Sequence, residues 1–255
     1  MPKVIVPFSE KGGVGKTTTN LQLAYNLGRM GNTILVADLD SSSAATGHLT
    51  GRADHALGAW DVLTSDGKVG IADATVEATK DWPGVYVLPS DRQLLDLEVK
   101  LSRTPDRDRV LKEAIRKTRS FFDYILIDTP PRLGIEINNA LYAATHYITI
   151  VDLSEYGSNS AHYSNELAHI VKKRGNKKLI HIGMLLNNFS TGHARVVKEI
   201  IRELEVDKNF LSGHIVPASS SVIAAQRAHK SLASISPRGK TTLAFKKLSE
   251  QIQEI

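Results

Sequence analysis

The sequence predicts a doubly wound, mainly parallel α/β sheet flanked by helices, in a single domain spanning residues 1–255. Three observations carry this expectation. Short apolar runs such as Val4–Val6, Ile34–Val36 and Ile125–Ile127 alternate with longer segments of helical periodicity. Those runs are apolar at every position rather than every second one, as strands buried on both faces require. Several of them end in acids or in a glycine-rich turn, and open α/β sheets place their ligands at such C-terminal strand ends. With 255 residues, 42% of them hydrophobic, the chain is long enough for one sizeable core.

The first strand, Val4-Ile5-Val6, runs into a glycine-rich turn and then directly into a helical pattern, the context that a phosphate-binding loop requires. Gly12, Gly13 and Gly15 let the backbone curl and turn successive N–H groups towards one centre. The helix starting near Lys16 adds its positive end. Lys16 is placed to reach the β- and γ-phosphates of a nucleotide, and the Thr17 hydroxyl to ligate Mg²⁺. Glu10 stands where the general loop pattern has glycine, and a second lysine, Lys11, stands at the front of the loop. The loop backbone surrounds its own γ-phosphate position, so Lys11 is better placed to reach a phosphate held by a neighbouring subunit. The run Lys11-Gly12-Gly13-Val14-Gly15-Lys16-Thr17-Thr18 resembles the deviant Walker A loop of the ParA/MinD family of ATPases. The resemblance implies ATP and Mg²⁺ as cofactors, with residues 12–18 as the nucleotide cradle and both lysines in catalysis.

Taking the elements in order, the first helix is expected from Lys16 to Met30, with Leu21, Ala24, Leu27 and Gly28 on one face and Gly31-Asn32 as its stop. Thr33–Ala37 reads as a buried strand that delivers Asp38-Leu39-Asp40 at its end. These acids resemble the family's second acidic motif, which implies that Asp40 orients the attacking water and Asp38 sits near the metal or the loop lysine. The family follows them with Pro-Gln, whereas Ser41-Ser42-Ser43 follows here. Leu57, Trp60 and Leu63 form a short amphipathic helix, and Val85–Leu88 is a further strand. Helical spacing returns at Leu94, Leu97 and Leu101 and over Val110–Thr118. The basic residues Arg103, Arg107, Arg109, Arg116 and Arg119 alternate with acids and read as a solvated helix face.

Asp123–Asp128 is a buried strand that presents Asp128 beside the phosphate loop, where it would hold Mg²⁺ through water. Thr129-Pro130-Pro131 continues neither strand nor helix and makes a stiff turn suited to sensing a γ-phosphate. The Asp-Thr-Pro-Pro order again resembles the family's switch. Arg132, where relatives carry a small residue, reads either as an exposed charge or as an extra phosphate or partner contact. Tyr147–Leu153 and Leu179–Leu186 are strands separated by a helix from Ser158 to Lys173, and the basic run Lys172–Lys178 reads as a solvated connection. By resemblance, Asn187 contacts the adenine and the Ile215-Val216-Pro217 strand brings Pro217 against the base. Relatives follow that proline with a DNA-binding arginine, but Ala218 stands here. The last helix, from Lys240 to Ile255, has Leu243, Leu248, Ile252 and Ile255 as apolar positions.

Charge and composition narrow the function. Residues 1–150 hold 17 Lys+Arg against 18 Asp+Glu, net −1, while residues 151–255 hold 15 against 9, net +6. A basic C-terminal portion suggests a polyanionic partner. Arg195, Lys198 and Arg202 share a helical face, and Arg227 and Lys230 follow. Such a stripe is either a solvated surface or, beside a ParA-like ATPase, a non-specific DNA surface. The chain has no cysteine, which excludes disulfides and cysteine-held iron–sulfur clusters and so disfavours an iron–sulfur carrier. No His-x₃-His or serine-elbow motif is present. Met1-Pro2-Lys3 leads straight into the first strand, so neither a targeting segment nor an N-terminal helix-turn-helix extension is expected. The family resemblance implies a short ParA-type ATPase that dimerises on ATP and binds DNA without reading sequence. It would partition or position a cargo with a ParB-like adaptor, in the cytoplasm and on the nucleoid. The alternatives are a MinD-like membrane positioner, which the mixed charge of the last helix disfavours, and a metabolic ATP-dependent ligase.

Overall fold

The computed structural model describes residues 1–118, 121–151, 157–189, 195, 198–199, 202 and 214–255. Among the described residues, eight strands form one sheet: β1 (Lys3–Phe8), β2 (Ile34–Asp38), β3 (Val76–Glu77), β4 (Val85–Leu88), β5 (Tyr124–Asp128), β6 (His146–Val151), β7 (Ile180–Phe189) and β8 (His214–Pro217). Their spatial order is β3-β4-β2-β5-β1-β6-β7-β8, and every pairing is parallel except β3 with β4. The predicted doubly wound, mainly parallel α/β architecture is therefore present.

The unbroken apolar runs are explained by two cores, one on each face. Val4, Val6 and Phe8 of β1, Leu35 and Ala37 of β2, and Ile125 and Ile127 of β5 point into one core. Helices α3 (Ala59–Thr64), α4 (Ile71–Ala74), α5 (Leu97–Lys100), α6 (Val110–Lys117), α7 (Ile135–Ala143) and α8 (Gly157–Arg174) supply its cover. The alternate residues Ile5, Ile34, Val36, Tyr124 and Leu126 point into the other. That side is covered by α1 (Lys16–Arg29), α2 (Ala44–Thr50), α9 (Ser220–Ala228), α10 (Leu232–Ile235) and α11 (Lys240–Glu254). Leu21, Ala24, Leu27 and Gly28 of α1 are all buried. Gly28 is required by close approach: a Cβ there would collide with the Pro83 carbonyl.

The structure adjusts several expected elements. The segment carrying Leu94 and Leu97 is a 3₁₀ turn (Arg92–Asp96) followed by the single turn α5, because the apolar residues dip into the core while Leu95 and Val99 stay exposed. Helices α2, α4 and α7 and the short strand β3 lie where no element was expected. In α11, Leu243 and Ile255 are exposed, and the buried stripe is Phe245, Leu248 and Ile252 with Thr241, Thr242 and Ser249. The helix is rotated by its own small polar residues. Thr241 and Thr242 donate to the Pro217 and Ser236 carbonyls, which turns them inward and Leu243 outward. Arg119 lies outside the described residues. The other arginines of its run are solvated as expected, with Arg116 paired to Glu113 at 2.8 Å and Arg107 to Glu98 at 3.6 Å. Asn176, inside the basic connection after α8, is buried and donates to the Leu141 and Ala144 carbonyls at 2.7 and 2.8 Å.

The corrected stripe on α11 yields a stability test. Replacing Phe245 by Ala should destabilise the fold by about 3–5 kcal/mol through transfer and cavity costs. Leu243→Ala should stay within about 0.5 kcal/mol. Chemical denaturation of the two variants checks this, and comparable losses would contradict the burial pattern.

Candidate phosphate-binding site

The strand order places the C-terminal tips of β2, β5 and β1 side by side, and the loop after β1 closes over them. Gly15 holds the last turn of that loop with φ 101°, in the left-handed region that favours glycine. A Cβ there would also run into Asn187, whose Nδ2 donates to the Val14 carbonyl at 2.6 Å. Asn187 thus buttresses the loop. Val14 sends its side chain into the core, leaving only backbone for a ligand. Gly12 lies against Pro131, so loop and stiff turn touch.

Lys16 is buried and folds back over the loop, its Nζ donating to the Lys11 carbonyl at 3.0 Å. Burial pulls its pKa down, while Asp128 and Asp40 pull it up. Thr17 Oγ1 donates to Asp128 Oδ2 at 2.7 Å, and Asn20 Nδ2 donates to Asp128 Oδ1 at 3.0 Å. Asp38 and Asp128 are paired across β2 and β5, and both are fully buried. Burial raises both pKa values. For Asp38 the neighbouring Asp128 raises it further, and for Asp128 the Asp40 charge does so against Thr17, Asn20 and Lys16. The Asp38 carboxylate is fully engaged. Oδ2 accepts from Thr46 N and Oγ1 at 2.9 and 2.7 Å, and Oδ1 accepts from Asp40 N at 3.0 Å. Asp38 therefore anchors the loop after β2 and the start of α2.

The Ser41–Ser43 segment has a defined shape. Asp40 Oδ1 accepts from Ser42 N at 2.9 Å, Ser90 Oγ donates to the Asp40 carbonyl at 2.5 Å, and Ser43 Oγ donates to the Ser90 carbonyl at 3.0 Å. Ser43, at φ 54°, begins α2. Arg132 resolves as an ion pair, 2.7 Å from Glu136 Oε1, with Glu136 buried.

A cleft of about 620 Å³ gathers Gly13, Gly15, Lys16, Thr17, Thr18, Asp40 and Thr129. Ser43, Ala44, Gly47 and His48 form one wall, and Gln226 and His229 another. Its donors suit a polyphosphate: loop amides, a lysine and hydroxyls. Thr129 Oγ1 is buried without a partner among the described residues, an orphan that a bound ligand or its water would satisfy. The hydroxyl–carboxylate pair Thr17–Asp128 offers hard oxygen donors suited to a hydrated Mg²⁺.

Lys11, Gly12, Val14, Asp38, Asp128, Asn187 and Pro217 do not line this cleft, the two acids lying fully buried below it. Pro217 instead has its carbonyl bonded to Thr241 Oγ1 at 2.8 Å. Arg195, Lys198 and Arg202 have helical backbone and are exposed, with Arg195 paired to Glu199 at 3.0 Å. Arg227 and Lys230 are exposed, at the end of α9 and just past it. Sequence reasoning passed over Asn20, Thr46, Ser90, Gln226 and His229. Asn20 had a signal, a polar residue on the buried face of α1 one turn after Thr17. The others arrive from distant segments and left none.

A family model described as an AAA domain (AAA_31) matches residues 2–182. The chain is 29% identical to the sporulation initiation inhibitor protein Soj of Bacillus subtilis, with 99% of this chain and 98% of the relative covered. It is 28% identical to the chromosome-partitioning ATPase Soj of Thermus thermophilus, with 96% and 92% covered. Among solved structures, the septum site-determining protein MinD of Pyrococcus horikoshii, complexed with Mg-ADP, superposes with a TM-score of 0.79 at 25% identity, covering 100% of this chain and 97% of that one. The chain belongs to the AAA domain family, in its ParA/MinD group of P-loop ATPases.

Proposed function

We propose that this chain is a single ATPase unit that binds ATP and Mg²⁺, dimerises around them, and grips DNA without reading sequence. Its cycle would partition or position a cargo through a ParB-like adaptor on the nucleoid. The observation that carries the reading is the loop with two lysines, Lys16 folded over it onto the Lys11 carbonyl, with Asp40 on the same cleft and Asp128 buried beneath it against Thr17. The relatives' names, a chromosome-partitioning ATPase and a septum site-determining protein, support the cellular role. Among the described residues, no helix is long and apolar enough to cross a membrane.

Residues 12–18 wrap the phosphates, and Lys16 leaves the Lys11 carbonyl to meet them. Thr17 and Asp128 hold Mg²⁺, which, when bound, offsets phosphate charge. Asp40, fixed by its backbone and side-chain bonds, orients a water in line with the γ-phosphorus. Water attacks, the bond to the β-phosphate oxygen breaks, and ADP, phosphate and a proton result. Lys16 and the partner subunit's copy of Lys11 neutralise the charge that develops. Basic residues such as Arg195, Lys198, Arg202, Arg227 and Lys230 supply the DNA surface.

Two predictions follow from this geometry. On random-sequence DNA, retention should require ATP, and log affinity should fall with log salt by about 0.9 per phosphate engaged. Lys11→Ala should abolish retention, and Asp40→Ala should prolong it while slowing hydrolysis at least ~10²-fold. A protein that stays monomeric with a non-hydrolysable ATP analogue and Mg²⁺ contradicts the reading. The second concerns pH. Asp128 must be ionised to hold the metal, yet its pKa is raised to about 6 and that of Asp38 to about 7. Protons compete below those values, so Mg²⁺-dependent analogue binding should tighten as pH rises from 5.5 to 7.5 and then level off. Titration with a fluorescent analogue checks it, and a flat profile refutes it.

A further inference from the structure

The outer wall of the cleft is built by the end of a helix, where two of the basic residues also lie. Gln226 of α9 and His229 just past its end line the cleft, while Arg227 and Lys230, on the same turn, are exposed. Gln226 Nε2 lies 3.5 Å from Thr18 Oγ1, so α9 touches the nucleotide loop's own helix. At its end, His229 adopts φ 53°, a left-handed conformation that costs a non-glycine residue energy. That turn is held by side chains reaching its carbonyls. Trp82 Nε1 donates to the His229 carbonyl at 3.4 Å, and His48 Nε2 lies 3.2 Å from the Lys230 carbonyl. His48 belongs to α2, the helix after the Asp40 loop, and packs edge-on against Trp82 at 5.3 Å. Two residues on, Leu232 N donates to Gln22 Oε1 of α1 at 3.2 Å. The stretch from Gln226 to Leu232 is thus fastened to the two helices that follow the phosphate loop and the Asp40 loop.

We infer that Gln226 is a positioning residue that reads occupancy of the phosphate cleft and sets the presentation of Arg227 and Lys230 to a polyanion. The inference rests on the ATP-dependent DNA reading and supplies the link between its two halves. A phosphate oxygen entering beside Thr18 competes with the threonine hydroxyl for the Gln226 amide, and a charged acceptor makes the stronger bond. The turn behind Gln226 closes through its backbone, His229 N on the Gln226 carbonyl at 3.3 Å and Lys230 N on the Ala225 carbonyl at 3.1 Å, so a pull on Gln226 passes directly to the residues that bear the charges.

Gln226 is exposed, so Gln226→Leu removes its polar contacts with little effect on folding. DNA retention is measured at saturating ATP analogue and at saturating ADP, which removes any difference in nucleotide affinity. Gln226→Leu should bring the analogue-to-ADP retention ratio to within about twofold of one. The double variant Arg227→Glu, Lys230→Glu should lower retention with the analogue bound. An unchanged ratio in Gln226→Leu overturns the inference. A second measurement needs no DNA. Hydrogen exchange over residues 220–232 should change on adding the analogue to the wild type and stay constant in Gln226→Leu. Equal changes in both proteins also overturn it. If the wild type binds no DNA, the functional reading fails while the exchange experiment still decides this link.

Discussion

Two buried carboxylates at paired positions on neighbouring strands constrain everything built around them. Asp38 and Asp128 end β2 and β5 in register, with no exposure to water. Like charges so placed repel, and burial strips their hydration, so each must be met by donors. Asp128 takes Thr17 and Asn20 from α1, and Asp38 takes Thr46 from α2 and the Asp40 amide. Satisfying the pair therefore fixes the first turns of both helices and the loop that carries Asp40. Lys16 adds the positive charge that lets this cluster stay compact. The phosphate cleft is the space left above a solved electrostatic problem.

The same pair shows what was legible in the sequence. Strands β1, β2 and β5 were readable because their apolar runs are continuous, the signature of burial on two faces, and the acids at their ends were readable as site residues. Local chemistry also exposed the loop from Lys11 to Thr18. What the sequence hid are contacts whose partners lie far along the chain. Ser90 braces the Asp40 loop from 50 residues away, and Gln226 meets Thr18 across 208. Short helices such as α2 and α4 were hidden for another reason. They are only 7 and 4 residues long, too short for a periodicity to emerge, and are held by tertiary contacts rather than propensity. On α11, periodicity was present but its phase was misread, because two threonines bonded to distant carbonyls outrank an exposed leucine.

Two departures from the family pattern, Ser41–Ser43 and Arg132, are built into the structure by bonds of their own. Where relatives have Pro-Gln after the second acid, stiffness comes here from a ring of hydrogen bonds among Asp40, Ser42, Ser43 and Ser90. A proline restricts one dihedral angle, whereas this ring ties the loop to the tip of β4 and to α2 at once. Arg132, an added charge after Pro131, likewise finds buried Glu136 one helical turn on, in the first turn of α7. Removing that arginine would leave a buried carboxylate without its counter-charge, a costlier loss than that of a surface pair.

These braces bear on how a nucleotide can act at a distance. The loop at Asp40 is held by three hydrogen bonds of 2.5 to 3.0 Å. On the proposed reading, the segment that yields is one held by longer hydrogen bonds. At the end of α9, which walls the cleft, the side-chain contacts run from 3.2 to 3.5 Å, while Ser43 on the opposite wall shares the left-handed backbone of His229. Under the proposed cycle, rigidity at the chemical end of the cleft would keep water aligned, and compliance at its outer wall would let binding energy reach the exposed cations.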